Sequence, residues 1–359
     1  MRILWFNWRD IKNPEAGGAE IFTHEVARRL LSRGYGITIF TAEYFGSIPF
    51  EIIDGITIVR CGSKYRVYRQ AIDYYKKNHD NFDLIIDEIN TRPFLSPKFV
   101  ARKRIIALFH QMAREFWFYE TPFPLNYIGY YYLEKKWLSN YRDITTITVS
   151  NSSRRDLDDL GFKKVHVVPV GLNIKPLQQV HQKEDKPTVI FTGRLKKAKL
   201  PHHAMQAFSI IKREIPDARM WVVGDGYMLN ELKRMNVSDV TFYGHVENEL
   251  KYKLMSRAHL ALAPAVREGW GLVVTECNAM GTTVVAYNVH GLRDSVQDGL
   301  TGILVDKSPE HLARAAIALL EDGERLAKLS IKALDSSRVF SWEKTAEAFE
   351  RIINSEALV

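Results

Sequence analysis

Short apolar runs alternate with amphipathic stretches, twice over along the chain, and nothing else constrains its fold as tightly. RILWF (2–6), GITIFTA (36–42), GITIVRC (55–61), DLIIDEIN (83–90), RIIALFH (104–110), TTITVS (145–150) and KVHVVPVG (164–171) all have strand length. The first leads through NWRDIKNPEAGGAE into a helix on which Phe22, Val26 and Leu30 recur every four residues, with Gly34 as its stop. After the polar, patternless stretch IKPLQQVHQKEDKP (174–187) the alternation restarts with TVIFTGR (188–194), ARMWVVGDG (218–226), DVTFYGHV (239–246), HLALAPA (259–265), TTVVAYN (282–288) and a short ILV (303–305). Strands alternating with helices predict mostly parallel α/β sheets. A chain of 359 residues is also longer than one core usually supports. The expectation is two Rossmann-like, doubly wound domains, 1–173 and 188–336, with 174–187 as linker. Residues 337–359, carrying the amphipathic SWEKTAEAFERIINS (341–355), are expected to cross back onto the first domain.

Charge divides the halves. Residues 1–180 hold 26 Lys and Arg against 19 Asp and Glu, a surplus of seven, whereas the rest of the chain holds 24 against 23. A basic first half suits an anionic partner: a phosphate-bearing substrate, a membrane surface or nucleic acid. Cys61 and Cys277 lie in different halves without metal spacing, which suits a reducing cytoplasm. MRILWF runs straight into polar residues, and no apolar run has membrane-spanning length, so neither a signal peptide nor a transmembrane helix is expected.

One stretch breaks the rhythm. HQMAREFWFYETPFPLNYIGYYYLEKKWLSNYRD (110–143) is crowded with aromatics interleaved with Arg114, Lys135, Lys136 and Arg142. It reads either as a helix packing tyrosines on the core or as a surface where rings and cations meet a lipid headgroup. Nucleic-acid stacking uses the same ingredients.

Chemistry-bearing residues gather at strand ends. In open parallel sheets ligands bind at the carboxyl ends of strands, where helix N-termini face anions. NPEAGGAE (13–20) sets Gly17 and Gly18 between strand and helix, without the G-x-G-x-x-G or Walker pattern that would mark a dinucleotide or P-loop site. TGRLKKAK (192–199) sets Arg194 at a strand end and Lys199 five residues on, before a helix opened by Pro201; two cations there suit a diphosphate and its developing charge. VGDG (223–226) and YGHV (243–246) are further glycine-containing strand ends. REGWGLVVTECNAMG (267–281) follows a buried run with Glu268 at its end and Glu276 eight residues later, two carboxylates placed to grip hydroxyl-rich parts of a ligand. His110 ends an apolar strand, and no His or Cys spacing suggests a metal site.

In this order the loops resemble the retaining glycosyltransferases of family 4, the glycogen-synthase-like or mannosyltransferase-type group 1 enzymes of GT-B fold, over nearly the whole chain. The matching pieces are AGGAE, His110, PVGLN (169–173), GRLKKAK, GDG, GHV, EGWGLVVTE, DGLTGILV (298–305) and FSWEKTA (340–346). The resemblance implies two Rossmann-like domains facing a central cleft. It implies that Arg194 and Lys199 bind the donor diphosphate beside the backbone of Gly17 and Gly18. Glu268 would contact the donor sugar, Glu276 the ribose, and His110 would sit near the sugar and the attacking acceptor. Gly193, Gly224, Gly226, His245, Val246, Gly269, Trp270, Gly271 and Leu272 would complete the donor site, with Arg114, Trp117 and Tyr119 toward the acceptor.

The expected activity is metal-independent, cofactor-free transfer of a hexose from a UDP- or GDP-linked donor, with retention, to a lipid-linked or membrane-surface glycan. The expected place is the cytoplasm, peripheral at the inner face of a membrane. A GT-B epimerase or phosphorylase, or a non-catalytic binder of sugar nucleotides or nucleic acid, is the alternative, although the intact Arg194, Lys199, Glu268 and Glu276 favour an enzyme. The chain departs from the family pattern at three places: Asn173 replaces its usual Asp, Leu200 the Gly after GRL-x3-K, and HGLRD (290–294) its GG-x-P-E loop, with His290 for the first Gly, Arg293 for Pro and Asp294 for Glu. The last change makes Arg293 a candidate partner for extra negative charge on the donor.

Overall fold

A computed structural model describes residues 1–355, and the chain divides into two compact units. The first contains Met1–Trp117, Phe123–Gly171 and, of the described residues, 341–355; the second contains Phe118–Pro122 and Leu172–Phe340. The stretch 174–187, expected as linker, lies inside the second unit. Its Leu177 N–H donates to the Ala279 carbonyl at 2.9 Å, and the Lys183 ammonium donates to the carbonyls of Ser256 and Gly281 and to the Thr282 hydroxyl at 2.8–3.0 Å. Burial there pushes Lys183 down to about 8. The chain is fastened by one side chain that satisfies three acceptors, a feature that local polarity does not announce.

The first unit is built on strands β1 (Arg2–Phe6), β2 (Gly36–Thr41), β3 (Phe50–Ile53), β4 (Ile56–Arg60), β5 (Leu84–Ile89), β6 (Arg104–Phe109), β7 (Thr145–Thr148) and β8 (Val165–Val167). Their spatial order is β3-β4-β2-β1-β5-β6-β7-β8, and only the β3–β4 pair is antiparallel. Central β1 buries Ile3, Leu4, Trp5 and Phe6 completely, as an unbroken apolar run must when both faces of a parallel sheet are covered. The helix Gly18–Ser32 lays Phe22, Val26 and Leu30 inward. The helix Trp342–Ser355 packs against it: Phe349 stacks on Trp5 at 5.4 Å, Trp342 meets Phe22 edge-on at 5.9 Å, and Arg33 pairs with Glu350 at 2.6 Å. Glycine is required at Gly171, because a Cβ there would lie 2.5 Å from the Trp342 backbone nitrogen. Residues 356–359 of the expected C-terminal segment lie outside the described residues.

The second unit is built on β9 (Thr188–Thr192), β10 (Arg219–Val223), β11 (Val240–Gly244), β12 (Leu260–Ala263), β13 (Thr283–Tyr287) and β14 (Gly302–Val305), all parallel, in the order β11-β10-β9-β12-β13-β14. Alternate residues of β9 serve opposite faces. Val189 and Phe191 join the core formed with helices Pro201–Glu214 and Pro309–Glu321, while Ile190 joins the core formed with helices Asn248–Arg257 and Leu272–Ala279. Among the described residues no helix is long and apolar enough to cross a membrane.

Candidate functional site

In the second unit the chain winds from β9 outward through β10 and β11, then returns to β12 on the other side and winds outward again. At such a reversal the connections leave on opposite faces, and a crevice opens beyond the carboxyl ends of the two central strands. The loops flanking it are 193–200 after β9 and 264–271 after β12. They carry Arg194 and Lys199 on one side and Glu268 on the other, and the Lys199 ammonium is ion-paired with the Glu268 carboxylate across the reversal.

Backbone fit around these loops explains the glycines. The Gly193 N–H donates to the Val223 carbonyl at 2.9 Å and the Leu195 N–H to the Asp225 carbonyl at 2.8 Å, which lays loop 224–227 on loop 193–195. A Cβ on Gly224 would lie 2.0 Å from the Gly193 carbonyl oxygen, and one on Gly226 would lie 2.5 Å from that of Leu195. Their first requirement is therefore close packing of two loops. Leu200, where the family pattern has Gly, takes a left-handed conformation (φ +50) and caps the helix Pro201–Glu214. That backbone costs an L-residue roughly 1–2 kcal/mol. The cost is offset because the Leu200 side chain is buried in the core, a gain of about 1.5–3 kcal/mol.

Glu268 is held by its own N–H, which donates to the His290 carbonyl at 2.9 Å. Gly271 (φ +92) opens the helix Leu272–Ala279. On it the Glu276 Oε1 accepts from the Lys251 ammonium at 2.9 Å and the Tyr252 hydroxyl at 3.2 Å. Burial pushes Tyr252 above its ordinary range, and the Glu276 carboxylate adds to the shift. Trp270 packs its ring on Phe340 at 5.6 Å, His245 is exposed, and Val246 packs against the sheet. In HGLRD, the Asp294 carboxylate accepts from the Gly291 N–H and the Arg293 guanidinium donates to the Asn288 carbonyl at 2.6 Å, so these two departures from the family loop make local contacts.

The second unit also holds residues that sequence reasoning placed elsewhere or missed. Tyr119, expected with the acceptor residues, belongs here: it packs against the core and its hydroxyl accepts from Lys307 at 3.2 Å. Its neighbour Glu120 accepts from the Ala198 N–H at 3.0 Å and from the Tyr227 hydroxyl, which itself accepts from the Lys197 N–H at 2.8 Å. A carboxylate from the aromatic stretch thus steadies the loop that carries Lys199.

In the first unit Gly17 precedes the helix Gly18–Ser32, and its N–H donates to Glu20 Oε2 at 2.7 Å in a capping arrangement; Glu20 Oε1 accepts from Arg9 at 3.0 Å. The Gly17 donor is thereby used internally, and Gly18 begins the helical N–H groups that face outward from a helix start. His110, directly after β6, is buried; its Nε2 lies 3.1 Å from Glu88 Oε1 and Phe22 meets its ring edge-on at 5.1 Å. Glu88 was not singled out from the sequence. The available signal was a pair of carboxylates, Asp87 and Glu88, inside an apolar strand, where burial demands partners.

Beyond His110 the stretch read either as a core-packing helix or as a lipid-facing surface holds the short helix Phe116–Glu120 and then an unbroken helical run made of Leu125–Ile128, a π-helical Gly129–Leu133, Glu134–Leu138 and a 3₁₀ turn Ser139–Tyr141. Buried Glu134 accepts from the Ala113 and Arg114 N–H groups, Trp117 lies over Gly129, and the Arg114 guanidinium sits 5.3 Å from the Tyr130 ring centroid. Trp117 is thus a packing residue of this fold. Phe123, Tyr127, Ile128, Tyr131 and Tyr132 are exposed beside exposed Lys135 and Lys136.

Residues 16–175 match the family model described as Glycosyltransferase Family 4, and residues 173–335 match the one described as Glycosyl transferases group 1. The chain is 25% identical to a D-inositol 3-phosphate glycosyltransferase of Geodermatophilus obscurus over 93% of this chain and 84% of that one. Other curated relatives are matched over about half their length, among them a glycogen synthase of Mycobacterium tuberculosis, 27% identical over 61% of this chain and 55% of that one. Among solved structures, sucrose-phosphate synthase from Thermosynechococcus elongatus shares the fold with a TM-score of 0.80 at 19% identity, over 99% of both chains. The Anabaena protein HepE, in complex with UDP and glucose, shares it with a TM-score of 0.75 at 16% identity, over 99% of this chain and 100% of that one.

Proposed function

This chain belongs to the group 1 glycosyltransferases of GT-B fold, and from that premise we propose that it moves a hexose from a UDP- or GDP-linked donor to a lipid-linked or membrane-surface glycan with retention of configuration. The observation that carries the reading is the Lys199–Glu268 pair spanning the winding reversal of the second unit, with Arg194 on the same loop as Lys199. Arg194 and Lys199 bind the diphosphate and neutralise the charge that grows on it as the bond to the sugar breaks. Glu268, held by Lys199 and by its backbone, accepts from sugar hydroxyls, and Glu276 accepts from the ribose hydroxyls. The HepE complex with UDP and glucose supports a nucleotide-sugar donor.

In the transfer, the bond from the anomeric carbon to the diphosphate oxygen breaks while the acceptor oxygen bonds to the same face. The departing diphosphate takes the acceptor proton. Neither glutamate is a nucleophile in this scheme, which sets it apart from the paired-carboxylate hydrolases. The side-chain cations take the role a metal plays elsewhere, so transfer continues in EDTA. The exposed Phe123, Tyr127, Tyr131 and Tyr132 beside Lys135 and Lys136 support an acceptor presented at an anionic lipid surface, at the inner face of the membrane.

The test is transfer from UDP- and GDP-hexoses to lipid-linked and to soluble acceptors, with and without EDTA, and the anomeric configuration of the product read by NMR. Retained configuration, in EDTA, with the lipid-linked acceptor preferred is the expected result. Free sugar phosphate or an altered sugar nucleotide as the product would replace the transferase reading with the phosphorylase or epimerase. Equal use of soluble acceptors, with no binding to anionic vesicles at low salt, removes the membrane part.

A further inference from the structure

Glu88, in the first unit, has no exposed side-chain surface. It stands one residue from Asp87 on β5, so the two carboxylates serve opposite faces of the sheet. Asp87 is bound by Tyr141 and by the N–H groups of Phe94 and Ser96. Glu88 accepts from the Trp5 indole N–H at 2.8 Å and the Thr23 hydroxyl at 2.5 Å, both at Oε2, and meets the His110 Nε2 at Oε1.

An indole nitrogen only donates, and a carboxylate only accepts. With both donors on Oε2, Oε1 is left to receive a hydrogen from the imidazole. We propose that Glu88 is a positioning residue that fixes His110 in one tautomer, hydrogen on Nε2 and lone pair on Nδ1, so that the ring accepts a hydrogen bond from a hydroxyl of the sugar or of the acceptor. Phe22, edge-on to the ring, and Thr23 on the following helical residue hold the pair in this orientation. The assignment rests on the reading of His110 as a residue of the reacting site.

Glu88→Gln tests it, because an amide has one accepting and one donating end. Trp5 cannot accept, so the amide oxygen stays with Trp5 and Thr23 and the NH2 group faces His110. Nε2 must then accept, and the ring hydrogen moves to Nδ1. An acid-to-amide change beside the histidine of a serine-protease triad imposes the wrong tautomer in this way and lowers kcat about 10⁴-fold. Here the histidine orients a hydroxyl rather than taking the full proton, and the expected loss is roughly ten- to a hundredfold in kcat, with donor KM within about twofold.

The ¹⁵N shifts of His110 should show a protonated Nε2 and a bare Nδ1 in the wild type and the reverse in Glu88→Gln. In a His110→Ala background, Glu88→Gln should cost nothing further. Glu88→Asp, which keeps an accepting carboxylate, should keep the wild-type tautomer. A wild-type spectrum with hydrogen on Nδ1 overturns the proposal without any variant. So does a Glu88→Gln enzyme at wild-type kcat when His110→Ala is slow. A His110→Ala enzyme at full rate instead overturns the placement of His110 at the reacting site, and the spectrum alone then decides the tautomer.

Discussion

The carboxyl edge of the second sheet and that of the first are built from opposite materials. In the second, the proposed functional side chains are charged and paired with opposite charges, Lys199 with Glu268 between two loops and Lys251 with Glu276 between two helices. In the first, His110 is buried and held by a hydrogen-bonded carboxylate from inside a strand, next to a stretch that exposes aromatic rings. Such ion pairs are adjustable, and the Lys199 ammonium can divide its donors between the Glu268 carboxylate and an arriving phosphate. A buried carboxylate with three donors fixes one geometry and one tautomer. The ion pairs of the second unit suit a ligand whose charge changes during reaction, and the buried carboxylate of the first suits orientation of a neutral hydroxyl.

This contrast is breakable by graded experiments. Lys199→Ala should give the largest loss, roughly 10²–10³-fold in kcat/KM, because it removes a cation aimed at developing charge; initial rates at several donor concentrations read it. A first-unit variant that costs as much without unfolding would end the distinction. Glu276→Gln keeps partners for Tyr252 and Lys251 and should raise donor KM about tenfold with kcat within twofold, the mark of lost uniform binding. Replacing Tyr131 and Tyr132 by Ser should lower binding to anionic vesicles several-fold while leaving donor binding unchanged, as sedimentation with liposomes and calorimetry would show.

The smallest effect concerns acid stability. Burial pushes His203 down to about 4, and its Nδ1 lies 2.9 Å from the Tyr287 hydroxyl. The unfolded chain binds a proton near pH 6.5 and the folded one only near 4, so the stability present above 6.5 is lost as pH falls between these values. His203→Gln should flatten that part of the midpoint-against-pH curve in thermal unfolding.

The fold was legible wherever a run was apolar on both faces. β1, β5 and β9 follow directly from RILWF, LIIDEI and TVIFT. β3 was not, because as an edge strand it exposes Phe50 and Ile52; its signal was Asp54-Gly55, which forms the left-handed hairpin turn at φ +48 and +82. In the second unit Arg194, Lys199 and Glu268 stood out because loops concentrate glycine and charge, and Glu276 because it follows Glu268 at eight residues. Their partners Lys251 and Tyr252 did not, since they look like ordinary residues of a solvated helix. Glu88 and Glu120 were hidden for related reasons: each acts on residues far along the chain, and only the topology brings its partners to it. Tyr119 parted from Trp117 because the chain changes units within two residues, a boundary that aromatic composition does not reveal.

The most direct test is calorimetric titration of the wild type and Arg194→Ala with UDP, GDP and their hexose conjugates, each protein shown folded by its thermal midpoint. Saturable binding of one nucleoside diphosphate by the wild type, weakened at least tenfold in the variant, is the result expected of a diphosphate site at the winding reversal of the second sheet. Absence of binding by a folded wild type, or equal affinity in Arg194→Ala, would contradict it.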